Sequence, residues 1–159
     1  MSEKAVVVIL PYREGKVLMQ LRDDREGLPC AGCWGFFGGA IEQGDTPEDT
    51  VWREVREELG YQPTAIHHLW VGRIHDLGNL LSYAYYCCLT VPVARLHLRE
   101  GSDLGLFSPA EILSKRLYSV RLKNTFPIAP TTYLVETIEK LFRQLGGLRR
   151  GSQACLREG

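Results

Sequence analysis

The sequence predicts an α/β fold in which a mixed β-sheet lies between helices. The chain has 159 residues, of which 45% are hydrophobic and 24% charged, and these are ordinary values for one globular domain. Apolar runs of strand type come first, an amphipathic helix follows, and further strands and helices complete the chain. Because this order lacks the regular strand–helix alternation of a purely parallel sheet, we expect a mixed sheet.

The first forty residues predict three strands and one long loop. Residues 5–10 (AVVVIL) form an apolar run rich in β-branched side chains, and residues 17–21 follow it across a hairpin turn at 13–16. Residues 22–32 are polar and contain Gly and Pro, which predicts a loop of a length that is often functional. Residues 34–39 (WGFFGG) predict a strand that ends in glycines.

The clearest helix is predicted over residues 46–60. Thr46 suits the N-cap position, Pro47 suits the first helical position, and Asp49 stands where a capping box requires an acceptor. Gly60 is a natural C-terminal stop. Both ends of this helix are therefore specified by local sequence.

The second half of the chain predicts two longer strands, a short strand and a helix start. Residues 65–74 and 80–91 are apolar runs on either side of a turn at 75–79. Residues 104–107 form a short strand, and the Ser-Pro-Ala-Glu sequence that follows has the form of a helix N-terminus.

The C-terminal region predicts one more helix and a tail. Apolar residues recur at helical spacing over residues 131–145, which indicates an amphipathic helix. Residues 146–159 are rich in Gly, Arg and Ser and are predicted to be disordered. We therefore expect one domain over residues 1–145 and a tail over residues 146–159.

Charge and hydropathy exclude several classes of function. The 19 basic and 19 acidic residues give no net charge, whereas a protein that binds a nucleic-acid polymer normally has a basic excess. The most apolar stretch, residues 80–94, is shorter than the ~20 residues that cross a bilayer, so we expect no membrane association. No secretory signal precedes the first strand, which predicts a cytoplasmic protein. An anionic small substrate would then need a divalent metal to neutralise it.

The five cysteines leave one open question. Without a signal peptide they are expected to be reduced. Cys30 and Cys33 form a C-x-x-C motif, which is compatible with zinc or redox chemistry, but no further ligands stand at zinc-site spacing. We favour loop thiols for this pair.

Three glutamates near the end of the predicted helix share one stripe: Glu54, Glu57 and Glu58. At about 100° per residue they face one side, separate from the apolar stripe that would pack on the core. The Gly38-Gly39 turn leads into this helix and could bring a backbone carbonyl beside the carboxylates. Carboxylate and carbonyl oxygens are suited to Mg²⁺ or Mn²⁺. The alternative is a solvated helix face.

Residues 39–61, GAIEQGDTPEDTVWREVREELGY, resemble the Nudix box, whose pattern is G-x5-E-x7-R-E-U-x-E-E-x-G-U with U a bulky apolar residue. Asp45 stands where the family has Glu, and Tyr61 stands where it usually has an aliphatic residue. The matching positions are Gly39, Arg53, Glu54, Val55, Glu57, Glu58 and Gly60.

The resemblance implies a Nudix α/β/α sandwich and a divalent-cation-dependent pyrophosphohydrolase that uses Mg²⁺ or Mn²⁺. Such enzymes cleave a nucleoside diphosphate linked to another group by water attack, and family members are often homodimers. It implies Glu57 and Glu58 as main metal ligands, Glu54 as a ligand or the base, Arg53 as the residue that orients the carboxylates, and the Gly38 carbonyl as a further ligand.

Family members often use a further carboxylate from a loop after the later strands. Glu100 and Asp103 are the candidates here, and we select Glu100 as the catalytic one.

Trp34 is expected to pack where the long loop meets the sheet rather than to stack on a base. Arg22 and Arg25 are expected to be solvated rather than to contact phosphate.

The substrate class stays open between nucleotide sugars, ADP-ribose-like compounds and nucleoside triphosphates. The segment CAGCW at residues 30–34 faintly resembles the loop of members that cleave nucleotide sugars, which ranks these substrates slightly first.

The alternative function is a Nudix-fold domain without catalysis that binds a nucleotide or has a regulatory role. Such domains usually lose the acidic residues of the box, and all three glutamates are present here.

Overall fold

The computed structural model describes residues 3–148 and has the mixed sheet that the sequence predicts. Its regular elements are β1 (Ala5–Arg13), β2 (Lys16–Leu21), β3 (Trp34–Gly35), β4 (Phe37–Ala40), α1 (Pro47–Leu59), β5 (His67–Ile74), β6 (Leu80–Cys88), β7 (Asp103–Phe107), α2 (Pro109–Leu113), β8 (Arg116–Ser119), β9 (Asn124–Pro127) and α3 (Thr132–Leu148).

Seven strands form one sheet, and five of them follow the order β3-β2-β1-β6-β5. Of the other two, β7 pairs with β2 and β4 pairs with β1. The β1–β6 pair is parallel and the other ladders in this sheet are antiparallel, so the sheet is mixed. One edge of β1 is shared: Tyr12 and Arg13 pair with β2, whereas Val6 to Ile9 pair with β4. Along this edge of β1, the neighbouring strand therefore changes from β4 at its N-terminal end to β2 at its C-terminal end.

Side chains alternate between two cores on opposite faces of the sheet. In β2, Leu18 belongs to the core that contains Val51 and Val55 of α1, whereas Met19 belongs to the core that contains Leu141 of α3. This period of two is what a strand buried on both faces produces. The sheet therefore lies between α1 on one face and α2 with α3 on the other, as the α/β/α prediction requires.

Helix α1 begins and ends where the sequence predicts. The Thr46 hydroxyl accepts from the Asp49 N–H at 3.1 Å, and the Asp49 carboxylate accepts from the Thr46 N–H at 3.5 Å, which completes the capping box. Gly60 adopts the left-handed conformation (φ 61°) and donates its N–H to Arg56 O. Tyr61, which departs from the box, is buried and its hydroxyl lies 2.7 Å from Thr90 Oγ1.

The β8–β9 hairpin is an element that the sequence prediction lacks. Its strands have four residues each, and its position depends on distant partners. Trp34 is fully buried, donates its Nε1–H to Leu117 O at 3.0 Å, and contacts Phe107 edge-on. Asp103 binds the same hairpin through the Ser119 hydroxyl at 2.6 Å. Trp34 is therefore packed rather than free to stack on a base, as predicted, and its side-chain partners are in the hairpin and in β7 rather than in the long loop.

The C-terminal helix continues through Leu148, three residues beyond its predicted end. The rest of the predicted tail, residues 149–159, lies outside the described residues. Within residues 3–148, no helix has the length and hydropathy needed to cross a membrane.

The C-x-x-C pair packs against one of the two cores. Cys30 and Cys33 have free thiols that are half-buried against the core under α3. Burial raises the pKa of both thiols.

Candidate active site

Glu58 is a buried carboxylate at the inner face of α1. Only 4% of its surface is exposed, and it accepts a hydrogen bond from the Gly38 N–H at 3.2 Å. Burial, followed by the nearby charges of Glu54 and Glu100, raises the pKa of Glu58 to about 8, against the opposing effect of the Gly38 hydrogen bond. An acid with this surplus of negative charge around it is suited to bind a cation.

Glu54 lies one helical turn before Glu58 and packs over Gly39. A Cβ on Gly39 would lie 2.5 Å from the Glu54 carboxyl carbon, so a larger residue there would require the Glu54 side chain to move. Burial and the charge of Glu57 are the main causes that raise the pKa of Glu54. Glycine at this position of the box thus leaves room for the carboxylate that lies over it.

Gly38 is also required by a close approach, and its backbone faces the site. A Cβ there would lie 2.0 Å from Val7 O. The Ile41 N–H bonds to Ala5 O, so alternation of antiparallel bonds makes Val7 and Gly39 a hydrogen-bonded pair and leaves Gly38 facing outward. Both its N–H and its C=O therefore point away from β1, toward the side on which Glu58 lies.

Arg53 connects the loop before α1 to the carboxylates. Its Nη1 lies 2.5 Å from Asp45 Oδ2, and its Nη2 lies 4.0 Å from Glu54 Oε1. The hydrogen bond from Arg53 to Asp45 raises the pKa of the guanidinium. Aspartate at position 45 therefore reaches Arg53 directly, although it is one methylene shorter than the family's glutamate.

The structure separates the three glutamates of the stripe. Glu54 and Glu58 lie beside the glycines of β4, whereas Glu57 is exposed. Its predicted role as a metal ligand stays a prediction.

Backbone hydrogen bonds fasten a second segment to the end of α1. The His97 N–H donates to Leu59 O at 2.9 Å, and the Arg99 N–H donates to Glu58 O at 3.0 Å. The Gln20 side chain donates to Glu100 O at 2.9 Å. These contacts bring Glu100 close enough to raise the pKa of Glu58.

Asp103, the other predicted loop carboxylate, lies away from this cluster. It is 7% exposed and accepts from the Ser119 hydroxyl, the Leu104 N–H and the Arg121 N–H. All three contacts are within its own strand or the adjacent hairpin. Asp103 therefore stabilises the fold, and Glu100 is the loop carboxylate that faces the site.

The donor set fits a divalent cation bound jointly with a phosphate. Within the described part of the chain, no three His, Cys, Asp or Glu side chains come together closely enough to hold an ion by themselves. Mg²⁺ is commonly held by one or two carboxylates, with water and substrate phosphate as the remaining ligands. Glu54, Glu58 and the outward-facing Gly38 carbonyl supply such a partial set.

A cavity of about 320 Å³ opens beside the carboxylates. Gln20, Arg22, Glu58 and Glu100 line its polar end. Its apolar wall comes from Val6, Val8, Phe36, Leu77, Leu80 and Leu134. This volume and its division into polar and apolar surfaces suit a small organic ligand with one charged end.

Arg22 lies at the site and is less solvated than the sequence predicts. The side chain is half-buried, lines the cavity, and its charge lowers the pKa of Glu58. Its contact with phosphate stays a prediction. Arg25, by contrast, is exposed.

The family model of the NUDIX domain matches residues 1–126. This match covers most of the chain and includes the capped helix, its carboxylates and the two glycines of β4. The chain therefore belongs to the Nudix hydrolase family.

Two curated relatives show similar sequence over part of their length. A Caenorhabditis elegans protein named as a Nudix hydrolase is 32% identical over 112 residues, which is 66% of this chain and 27% of that protein. Nucleoside triphosphatase NudI of Escherichia coli is 38% identical over 63 residues, which is 39% of this chain and 43% of that protein. The match thus spans less than half of each relative.

Solved structures share the fold at low identity. The MutT Nudix hydrolase of Burkholderia pseudomallei has a TM-score of 0.66 at 21% identity, over 89% of this chain and 99% of its own. The Nudix domain of Shewanella oneidensis NrtR, solved with ADP-ribose, has a TM-score of 0.64 at 20% identity, over 91% and 90%. These likenesses confirm the α/β/α architecture.

Proposed function

We propose that this protein is a divalent-cation-dependent hydrolase that cleaves the phosphoanhydride of a nucleoside diphosphate linked to another group. The observation that carries the proposal is the buried Glu58, which shares its site with Glu54 and Glu100 at the mouth of the cavity. Burial and the charges of Glu54 and Glu100 disfavour the ionised form of Glu58, which a bound cation would stabilise, and family membership supplies the reaction class.

The residues of the site would hold the metal and orient its ligands. Glu54 and Glu58, with the Gly38 carbonyl, would hold Mg²⁺ or Mn²⁺, and Glu57 would add a ligand from the exposed side. The bound metal would neutralise the phosphates and lower the pKa of an attacking water. Arg53 would orient the Glu54 carboxylate, and its own position is fixed by the ion pair with Asp45.

Glu100 is our candidate for the general base. Its backbone is fixed to α1 by the Arg99 N–H and to β2 by Gln20, so the start of its side chain is held at the site without substrate. A carboxylate in such a place can accept the proton of the attacking water. Glu54 is the alternative base.

The apolar wall of the cavity supports a nucleoside as the part of the substrate that lies there. The E. coli relative is named as a nucleoside triphosphatase, and the NrtR domain was solved with ADP-ribose. Together with the CAGCW segment, these names keep triphosphates, ADP-ribose-like compounds and nucleotide sugars as candidate substrates.

The test is a panel of these substrates in ¹⁸O water with Mg²⁺, Mn²⁺ or EDTA, with products identified by mass. We expect turnover that EDTA abolishes and metal restores, with ¹⁸O in a phosphate of one product. A GDP-hexose could instead carry ¹⁸O in the sugar. Nucleotide binding without turnover across the panel would show a non-catalytic binding domain.

A further inference from the structure

A second cavity, of about 510 Å³, lies beside the first and has a different lining. The two cavities share Gln20, Arg22 and Glu100. The second is completed by the loop after β2, which supplies Arg25, and by the segment before β7, which supplies Arg99. Where the first cavity has an apolar wall, this one has arginines.

Positive charge exceeds negative charge in this arginine cavity. Arg22, Arg25 and Arg99 face two acids, Asp23 and Glu100. Asp23 is already engaged, because its carboxylate accepts from the Ser102 hydroxyl at 2.8 Å. Guanidinium groups stay charged at every pH that proteins tolerate, so this surplus is permanent.

Arg22 has an unused hydrogen-bond donor at the junction of the two cavities. Its Nε is buried and has no hydrogen-bond partner among the described residues. This atom is shielded from both cavities, so a ligand oxygen would reach it only after the guanidinium turns. The feature that indicates an anionic ligand is therefore the arginine lining of the second cavity.

We infer that the arginine cavity binds the terminal phosphates of a nucleoside triphosphate, on the far side of the bond that is cleaved. This inference rests on the proposed function and narrows its substrate class. The nucleoside lies against the apolar wall, the scissile phosphate lies at the carboxylates, and the chain of phosphates continues past Arg22 to Arg25 and Arg99. Arginine binds phosphate through paired charged hydrogen bonds.

A nucleotide sugar fits this arrangement less well. Its neutral hexose would lie among three guanidinium groups and offer them no compensating charge. Selectivity between the two substrates should therefore depend on Arg25 and Arg99, which do not line the first cavity.

The first experiment titrates inorganic pyrophosphate into the protein in EDTA and measures binding by calorimetry. The variant Arg25→Ala/Arg99→Ala should bind pyrophosphate at least about tenfold more weakly than wild type, since each lost bond involves a charged group. The control Arg95→Ala/Arg143→Ala removes the same charge from exposed positions outside both cavities. Equal affinity in both variants, or no binding by wild type, would overturn the inference.

The second experiment compares kcat/KM for a nucleoside triphosphate and for the diphosphate sugar of the same base. Arg25→Ala/Arg99→Ala should lower the triphosphate value about tenfold, mainly through KM, and change the sugar value less than twofold. An equal loss for both substrates would overturn the inference. If wild type hydrolyses nothing in the panel, the proposed function fails, and the pyrophosphate titration still decides the arginine cavity.

Discussion

Glu58 and Asp103 are both buried acids, but their surroundings are opposite. Asp103 accepts three hydrogen bonds from Ser119, Leu104 and Arg121. Glu58 accepts one from the Gly38 N–H and faces two further carboxylates. Exposure is nearly the same, at 7% and 4%. Burial alone therefore does not distinguish a structural acid from a functional one.

The difference lies in what compensates each charge. Hydrogen bonds from the chain satisfy Asp103, so the folded state needs nothing more there. The charge of Glu58 is opposed by its neighbours, so the folded state alone leaves it unfavourable and a bound cation would stabilise it. The comparison predicts opposite consequences for removing the two charges.

The largest effect is expected from Glu58→Gln. We expect kcat/KM to fall at least about 100-fold, which corresponds to about 2.7 kcal/mol, because the metal would lose a charged ligand. In EDTA the melting temperature should stay close to wild type below about pH 8, where Glu58 is protonated, and rise above that pH, where the substitution removes a buried repulsive charge. The control Glu139→Gln, on the exposed face of α3, should change neither quantity. Full activity of Glu58→Gln at saturating Mg²⁺ would exclude this carboxylate from the metal site.

Asp103→Ala should show the reverse pattern. The Ser119 hydroxyl is buried and would lose a partner, so we expect the free energy of unfolding to fall by about 2 kcal/mol in urea titrations. At low temperature, where the variant stays folded, kcat should lie close to wild type. A large loss of kcat with normal stability would mean that Asp103, and not Glu100, is the acid that acts at the site.

Stability in EDTA should fall as pH rises. The pKa of Glu58 is raised from 4.5 to about 8, so between these values the folded state keeps a proton that the unfolded state releases. The free energy of unfolding then decreases with pH across this range and levels off above about pH 8.

Melting temperatures measured from pH 5 to pH 9 should therefore drop by on the order of ten degrees in wild type. Glu58→Gln should lose most of that slope, and Glu54 should account for what remains, because its pKa is also raised. Glu139→Gln serves as the control and should keep the full slope. A flat profile in wild type would contradict the unbalanced charge on which the comparison rests.

The smallest effect is expected at Asp45, where the charge is paired and partly exposed. Asp45→Ala should reduce kcat about two- to fivefold, the range of an ion pair that solvent screens. Asp45→Glu should stay near wild type, since aspartate already reaches Arg53. Equal kcat values in all three proteins would show that the Arg53–Asp45 pair does not support Glu54 in catalysis.

Helix α1 shows how much of the site is local information. Its capping box, its glycine stop and the spacing that puts Glu54 and Glu58 on one side all depend on residues within four positions of each other. Helical period and backbone capping decide such features without help from the rest of the chain. The same holds for the alternation of buried residues in β2.

Contacts between distant segments decide the rest. Periodicity placed Glu54, Glu57 and Glu58 on one stripe, yet only the packing of β4 against α1 shows which of them are buried. The different surroundings of Glu100 and Asp103, and the meeting of Arg22 with Arg99, depend on loop–helix hydrogen bonds and on the β2–β7 ladder. The sequence by itself determined the helix, its carboxylates and the family, because each is written in local spacing. Tertiary structure decided which acids are compensated and where the arginines gather, because those energies arise between residues about 80 positions apart.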